Sequence, residues 1–138
     1  MTRIESKKVE VNNSQENIFN FLTDFNNFEK LMPEGKISQW TSTSNECSFN
    51  INGMASIGMK IIEKSPFSSI KIVSHGKNPF EFILNVDIEA ITPDQSVAQL
   101  IFEADINPFL KMMVEKPLTN FFNMLADKLK EISNQGLK

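Results

Sequence analysis

Between Ile37 and Ile106 apolar and polar residues alternate with a period of two, and turn residues cut the alternation at intervals. Cys47, Phe49 and Ile51 stand against Ser48 and Asn50. Asn52-Gly53 then supplies the positive φ that a tight hairpin needs before Ala55, Ile57, Met59 and Ile61 resume the pattern. Further turns at Lys64-Ser65-Pro66, Gly76 to Pro79 and Thr92-Pro93-Asp94 separate strands near 69–75, 80–91 and 96–106. The pattern predicts six consecutive antiparallel strands, preceded by one more over residues 3–11, where Lys7, Val9 and Val11 alternate with Lys8 and Glu10.

On either side of the six strands the period changes to that of a helix. Asn13 followed by Glu16, with Ser14 as the other candidate cap, opens a run in which Ile18, Phe21, Leu22, Phe25 and Phe28 recur at helical spacing to Met32. Asp24, Asn26 and Asn27 interrupt that run, which predicts two short helices with a bend, ended by Pro33-Glu34-Gly35. Asn107-Pro108 is a strong helix start, since Asn caps free amides and Pro at the first position lacks only an amide with no partner. Leu110, Met113, Val114, Phe121, Leu125, Leu129 and Ile132 then form one long apolar stripe. Pro117 falls within it, removes the amide that would bond to Met113, and predicts a kink or local opening over residues 113–117.

Strand parity sorts the side chains into two faces. Phe80, Phe82, Leu84, Val86, Ile88 and Ala90 point one way, as do Ala98, Leu100, Phe102, Ala104 and Ile106 on the next strand. The acids Glu81, Asp87, Glu89, Glu103 and Asp105 fall on the other face. The sheet therefore has one apolar face, and the C-terminal stripe must pack against it. Carboxylates paired for acid–base work would have to converge in a pocket, and this parity turns them away from one.

Composition narrows the chemistry. The 138 residues are 41% hydrophobic and 22% charged, with formal net charge −3; they include twelve Phe and seven Met but one Trp, one His, one Cys and no Tyr. The N-terminal residues have no apolar signal core and Cys47 alone can form no internal disulfide, which reads as a cytoplasmic chain. No apolar run is long enough to span a membrane, and the scattered lysines offer no block to neutralise a nucleic-acid backbone. No spacing of ligands suggests a metal, and no cofactor motif is present. His75, at a strand end before Gly76, is the sole side chain with an ordinary pKa near neutrality, but no nucleophile motif accompanies it, so no catalytic residue is assigned. Cys47 shares the parity of Phe49 and Ile51 and reads as a buried, inert thiol.

The element order is that of the α+β helix-grip fold, and the sequence resembles the START-like superfamily, also called SRPBCC or Bet v 1-like. The resemblance is carried by Val9-Glu10-Val11, by Ile18-Phe19-Asn20-Phe21-Leu22-Thr23-Asp24, by Phe28-Glu29-Lys30-Leu31-Met32-Pro33 and by Asn107-Pro108-Phe109-Leu110. It covers essentially the whole chain and implies one domain over residues 1–138, with a seven-stranded antiparallel sheet curled around the long C-terminal helix. Two short helices would lie between strands 1 and 2. Such proteins often leave an apolar cavity between sheet and helix, which in various members holds lipids, hormones or polyketide intermediates.

Inward parity and the kinked helix nominate Phe49, Met59, Phe82, Leu84, Phe102, Met113, Pro117, Phe121 and Met124 as the cavity lining, with Trp40 at its rim or over the sheet end. The same Phe and Met residues serve as readily to fill a core. Three functions follow. The first is non-catalytic binding or carriage of a small apolar molecule or lipid. The second is an enzyme like the polyketide cyclases, in which a shaped cavity folds a reactive substrate. The third is a protein-binding module with a filled cavity. On the convex face Ile62, Val73, Ile83 and Ile101 have the parity opposite to the core and form a candidate row for a partner or a homodimer.

Overall fold

The computed structural model describes residues 1–134. It begins with β1 (Thr2–Glu5) and β2 (Val9–Val11), followed by α1 (Gln15–Leu22), α2 (Phe25–Phe28) and a 3-10 turn (Glu29–Leu31). Six strands come next: β3 (Ile37–Ser42), β4 (Glu46–Ile51), β5 (Ala55–Ser65), β6 (Ser69–Ser74), β7 (Phe82–Thr92) and β8 (Gln95–Ala104). The helix α3 (Pro108–Asn134) closes the described chain. The sheet is antiparallel throughout, in the order β1-β8-β7-β6-β5-β4-β3, with β2 also paired to β8. This is the helix-grip arrangement: a curled sheet of consecutive strands whose concave face holds α3.

The six central strands fall where the alternation placed them. The first strand differs. It is split, because Glu5 and Val9 are four positions apart while their partners Ile101 and Ala98 on β8 are three apart. The extra residue forms a bulge that shifts the inward parity from Ile4 and Ser6 to Val9 and Val11, all four buried. Ser6 repairs the ladder there: its hydroxyl accepts from the Leu100 amide at 3.0 Å, and its own amide donates to the Leu100 carbonyl at 2.9 Å. The hairpin at Asn52-Gly53 also takes one residue more than expected, since Ile51 pairs with Ala55 across a three-residue loop in which Gly53 alone has positive φ, +79°.

The helix starts follow their caps. Ser14 Oγ accepts from the Asn17 amide at 3.1 Å, Asp24 Oδ1 from Asn26 at 2.9 Å, and Asn107 Oδ1 from Leu110 at 2.8 Å. Asp24 thus starts a second helix where the first has ended, which produces the two short helices. Helix α3 runs unbroken through Pro117, without the local opening expected there. Pro117 is exposed, so the Met113 carbonyl deprived of its amide partner lies on the solvent side of the helix.

Two close backbone features hold the sheet's middle. Gly58 on β5 is buried, and its amide and carbonyl are bridged by the side chain of Asn78 at 3.0 and 3.1 Å. A Cβ on Gly58 would overlap the His75 carbonyl, so only glycine lets the chain after β6 approach here.

Two consequences are measurable by denaturant unfolding. Pro117→Ala restores a helix amide and is expected to raise stability by about 1–3 kcal/mol. Gly58→Ala forces backbone apart and is expected to lower it by about 2–4 kcal/mol.

Candidate functional site

The concave face and α3 meet around an apolar chamber. From β4 come Phe49 and Ile51, from β5 Ile57 and Met59, and from β7 Phe82 and Leu84, with Phe80 just ahead of that strand. Helix α3 contributes Leu118, Phe121, Phe122 and Leu125, and the α2 segment adds Phe28 and Met32. Every one of these side chains is apolar. The free space they enclose is about 30 Å³, room for roughly two water-sized spheres. A second cavity of about 10 Å³ lies deeper, between Val9, Leu22, Leu31, Val86, Leu100 and Leu129 among others. Phe28 and Leu125 border both cavities and form the partition between them.

Five of the ten residues nominated from the sequence line the chamber: Phe49, Met59, Phe82, Leu84 and Phe121. Two more stand directly behind or beside it. Phe102 is buried and stacks on Phe82 at 5.4 Å and on Phe122 at 5.3 Å between ring centres. Trp40 is half-buried at the rim, stacked on Phe49 at 5.2 Å, while its Nε1 donates to Ser42 Oγ at 3.1 Å. Phe49 in turn faces Phe121 at 6.2 Å, so the indole is coupled to the chamber wall through one ring.

Met113, Pro117 and Met124 are not in the lining. They are exposed, Met113 by 60% and Met124 by 37%. The cause is helix phase. The buried stripe of α3 runs Val114, Leu118, Phe121, Phe122, Leu125, Leu129, and Met113, Pro117 and Met124 each fall on its flanks. Leu118 occupies the inward place that the sequence reading gave to Pro117; its spacing of four from Val114 and three from Phe121 is the signal that identifies it. Phe28, Met32, Leu118, Phe122 and Leu125 are the main lining residues absent from that reading. Phe28 and Met32 sit outside any strand alternation, so parity could not assign them.

The convex row does not form a continuous exposed patch. Ile101 is buried at 8% exposure between its cross-strand neighbours Glu5 and Asn85, and the directly paired Val73 and Ile83 are half-buried. Ile62 stands out at 51% because it is the extra residue of a bulge between Ile61 and Glu63. The outward acids are placed as parity required: Glu81, Asp87, Glu89 and Asp105 are exposed and Glu103 is half-buried beside Arg3.

His75 lies outside the chamber, exposed, with Nε2 3.3 Å from a carboxylate oxygen of Glu46. Cys47 is buried, and desolvation pushes its thiol pKa up to about 12. It is a core side chain without nucleophilic character at neutral pH. Among the described residues no cluster of three or more His, Cys, Asp or Glu could hold a metal, and no helix is long and apolar enough to cross a membrane.

A curled sheet gripping one long helix, with two short helices after the first strand, defines the START-like, Bet v 1-like class of folds. Solved structures agree along the whole chain. A START superfamily protein from Mycobacterium smegmatis superposes with a TM-score of 0.70 at 17% identity, covering 96% of this chain and 97% of that one. Norcoclaurine synthase from Thalictrum flavum, solved with dopamine and hydroxybenzaldehyde, gives 0.74 at 15% identity over 99% of this chain and 88% of the other. A point mutant of that enzyme with a transition-state analogue gives 0.77 at 14%, covering 97% and 94%. At these identities the likeness is one of fold. No family model matches the sequence, and no curated protein matches it.

The raised thiol pKa has a sign that can be checked. The folded state keeps Cys47 protonated over the range from about 9 to about 12, where the unfolded chain ionises it, so its contribution to stability is whole below pH 9 and is lost as pH rises through 12. Relative to Cys47→Ala, the native chain is expected to lose about 1.4 kcal/mol per pH unit in that window. Urea unfolding of both proteins between pH 8 and 11 measures the difference.

Proposed function

We propose that the protein binds a small apolar or aromatic molecule, without transforming it, in the chamber between the sheet and α3. The observation that carries this reading is the lining: a continuous wall of Phe, Met, Leu and Ile with no charged or hydrogen-bonding side chain in it. Apolar burial would supply the affinity, and the Met and Phe side chains supply the adaptability. The fold's likeness to norcoclaurine synthase, which holds two small aromatic molecules, supports an aromatic ligand of similar size. A cyclase-like enzyme would need an acid or base on the chamber wall, and the side chains there provide neither.

Size bounds the ligand. A void of about 30 Å³ admits no organic molecule without repacking, whereas a cavity of about 150 Å³ takes benzene. Opening roughly 100 Å³ in a packed core costs about 2 kcal/mol, and burying one aromatic ring returns about 4–6 kcal/mol. The balance favours a small ring over a long lipid. The chamber then behaves as an expandable core.

Trp40 is the chain's one tryptophan and reports on this wall through Phe49. Titration with toluene is expected to shift Trp40 emission and to saturate at one molecule per chain. Phe121→Ala, which enlarges the chamber, is expected to tighten binding by about tenfold. Absence of uptake by both proteins, in fluorescence and in native mass spectrometry, would overturn the reading.

A further inference from the structure

Outside the chamber, a groove of about 530 Å³ runs between the Glu29–Leu31 turn with its following loop and the second half of α3. Its floor is apolar, formed by Leu31, Met32, Pro33 and Met124, and its walls carry charge. Met32 borders both this groove and the chamber, and Leu31 borders both the groove and the deeper cavity. Among the described residues, the side chains shared between the groove, the chamber and the deeper cavity are those of one short segment, Phe28, Leu31 and Met32, together with Leu125. That segment is short, and Phe28, Leu31 and Met32 are all buried. The 3-10 turn has no side-chain cap, and the loop after it turns at Gly35 with φ of +76°.

We propose that the groove is the outer half of the binding site, that Met32 is the side chain a ligand must displace to pass between the halves, and that the ligand is a small amphiphile with a cationic head. This rests on the apolar chamber being a ligand site. The apolar end lies in the chamber, and the head stays in the groove. The groove's volume alone is within the usual range of small-molecule sites, about 300–1,000 Å³, and it supplies the space the chamber lacks. The sign of the head follows from the walls. Among the described residues they carry the carboxylates of Glu29, Glu34, Asp127 and Glu131 against the ammonium groups of Lys30 and Lys128. Asp127 is held by Lys7 at 2.7 Å and Glu131 by Lys128 at 3.6 Å, so the negative excess rests on the side of Glu29, Lys30 and Glu34, two carboxylates against one ammonium. Met32 is itself only 7% exposed, so it closes the passage in this conformation.

The test compares octylamine, octanol and octanoate by Trp40 fluorescence and calorimetry at low salt, on the native chain, Met32→Ala and Glu34→Lys, with toluene as a headless probe of the chamber. Glu34 is exposed in a loop and its exchange leaves the core untouched. Octylamine is expected to bind about fivefold more tightly than octanoate, with the preference lost in 0.5 M salt and removed or reversed by Glu34→Lys. Met32→Ala is expected to speed association of octylamine by about threefold or more. If toluene binds but the head preference is absent or indifferent to Glu34→Lys, or Met32→Ala leaves the rate unchanged, the groove proposal fails and the chamber reading stands. If no probe enters at all, both fail.

Discussion

The structure depends on one contact, the packing of α3's buried stripe into the concave face of the sheet. Val114, Leu118, Phe121, Phe122, Leu125 and Leu129 all face inward, and none of the strands could bury its apolar row without them. Aromatic stacking gives this contact its geometry. Trp40, Phe49, Phe121, Phe122, Phe102 and Phe82 form one continuous train of rings, each within about 6 Å of the next, that crosses from the edge strand through the helix and back to the middle of the sheet. Phe suits that train better than Tyr would, because a buried hydroxyl would need a partner that this wall does not contain.

Much of this was legible because strands and caps obey local rules. The period-two run gave six strands in their places, and Asn107-Pro108 gave the start of α3 through a capping bond that the structure shows. What escaped is what local rules do not encode. The bulge at Ser6 and the three-residue loop after Ile51 each insert one residue, a decision made by pairing with a distant strand. For the site, parity led to Phe49, Met59, Phe82 and Leu84, while Ile51, Ile57 and Phe80 of the same inward rows were left out, and it could not reach Phe28 and Met32, which belong to a short helix and a turn. On α3 the stripe read from the sequence included Met113, and the expected kink put Pro117 in the lining and left Leu118 out, whereas the proline sits on the solvent side and the helix continues.

The likeness to solved structures is one of fold and leaves the chemistry to the side chains. Nearly full-length superposition at identities of 10 to 17% means that the scaffold is shared while most positions differ. In this chain the positions facing the cavity are those of a core, and the titratable groups are elsewhere: the acids on the convex face, His75 beside Glu46, and a thiol silenced by burial. The fold is shared with an enzyme, but the chamber wall is equipped for shape and apolar area.

A nearly filled chamber and a binding function are compatible for a physical reason. Packed interiors resist expansion through lost dispersion contacts, at a cost that grows with the volume opened, whereas the gain from a ligand grows with the apolar surface it buries. For a ring-sized guest the second exceeds the first by only a few kcal/mol, so a site of this kind binds weakly by its chamber alone. Phe28, Leu31 and Met32 alter that balance, because they lie on one short segment outside the ring train, so moving them leaves the stacking between sheet and helix in place. A guest that moves this segment gains the groove's existing volume and pays only for the side chains it displaces. The strongest ligand for such a wall is therefore one that spans it, with an apolar end that fits the chamber and a polar end that remains in water.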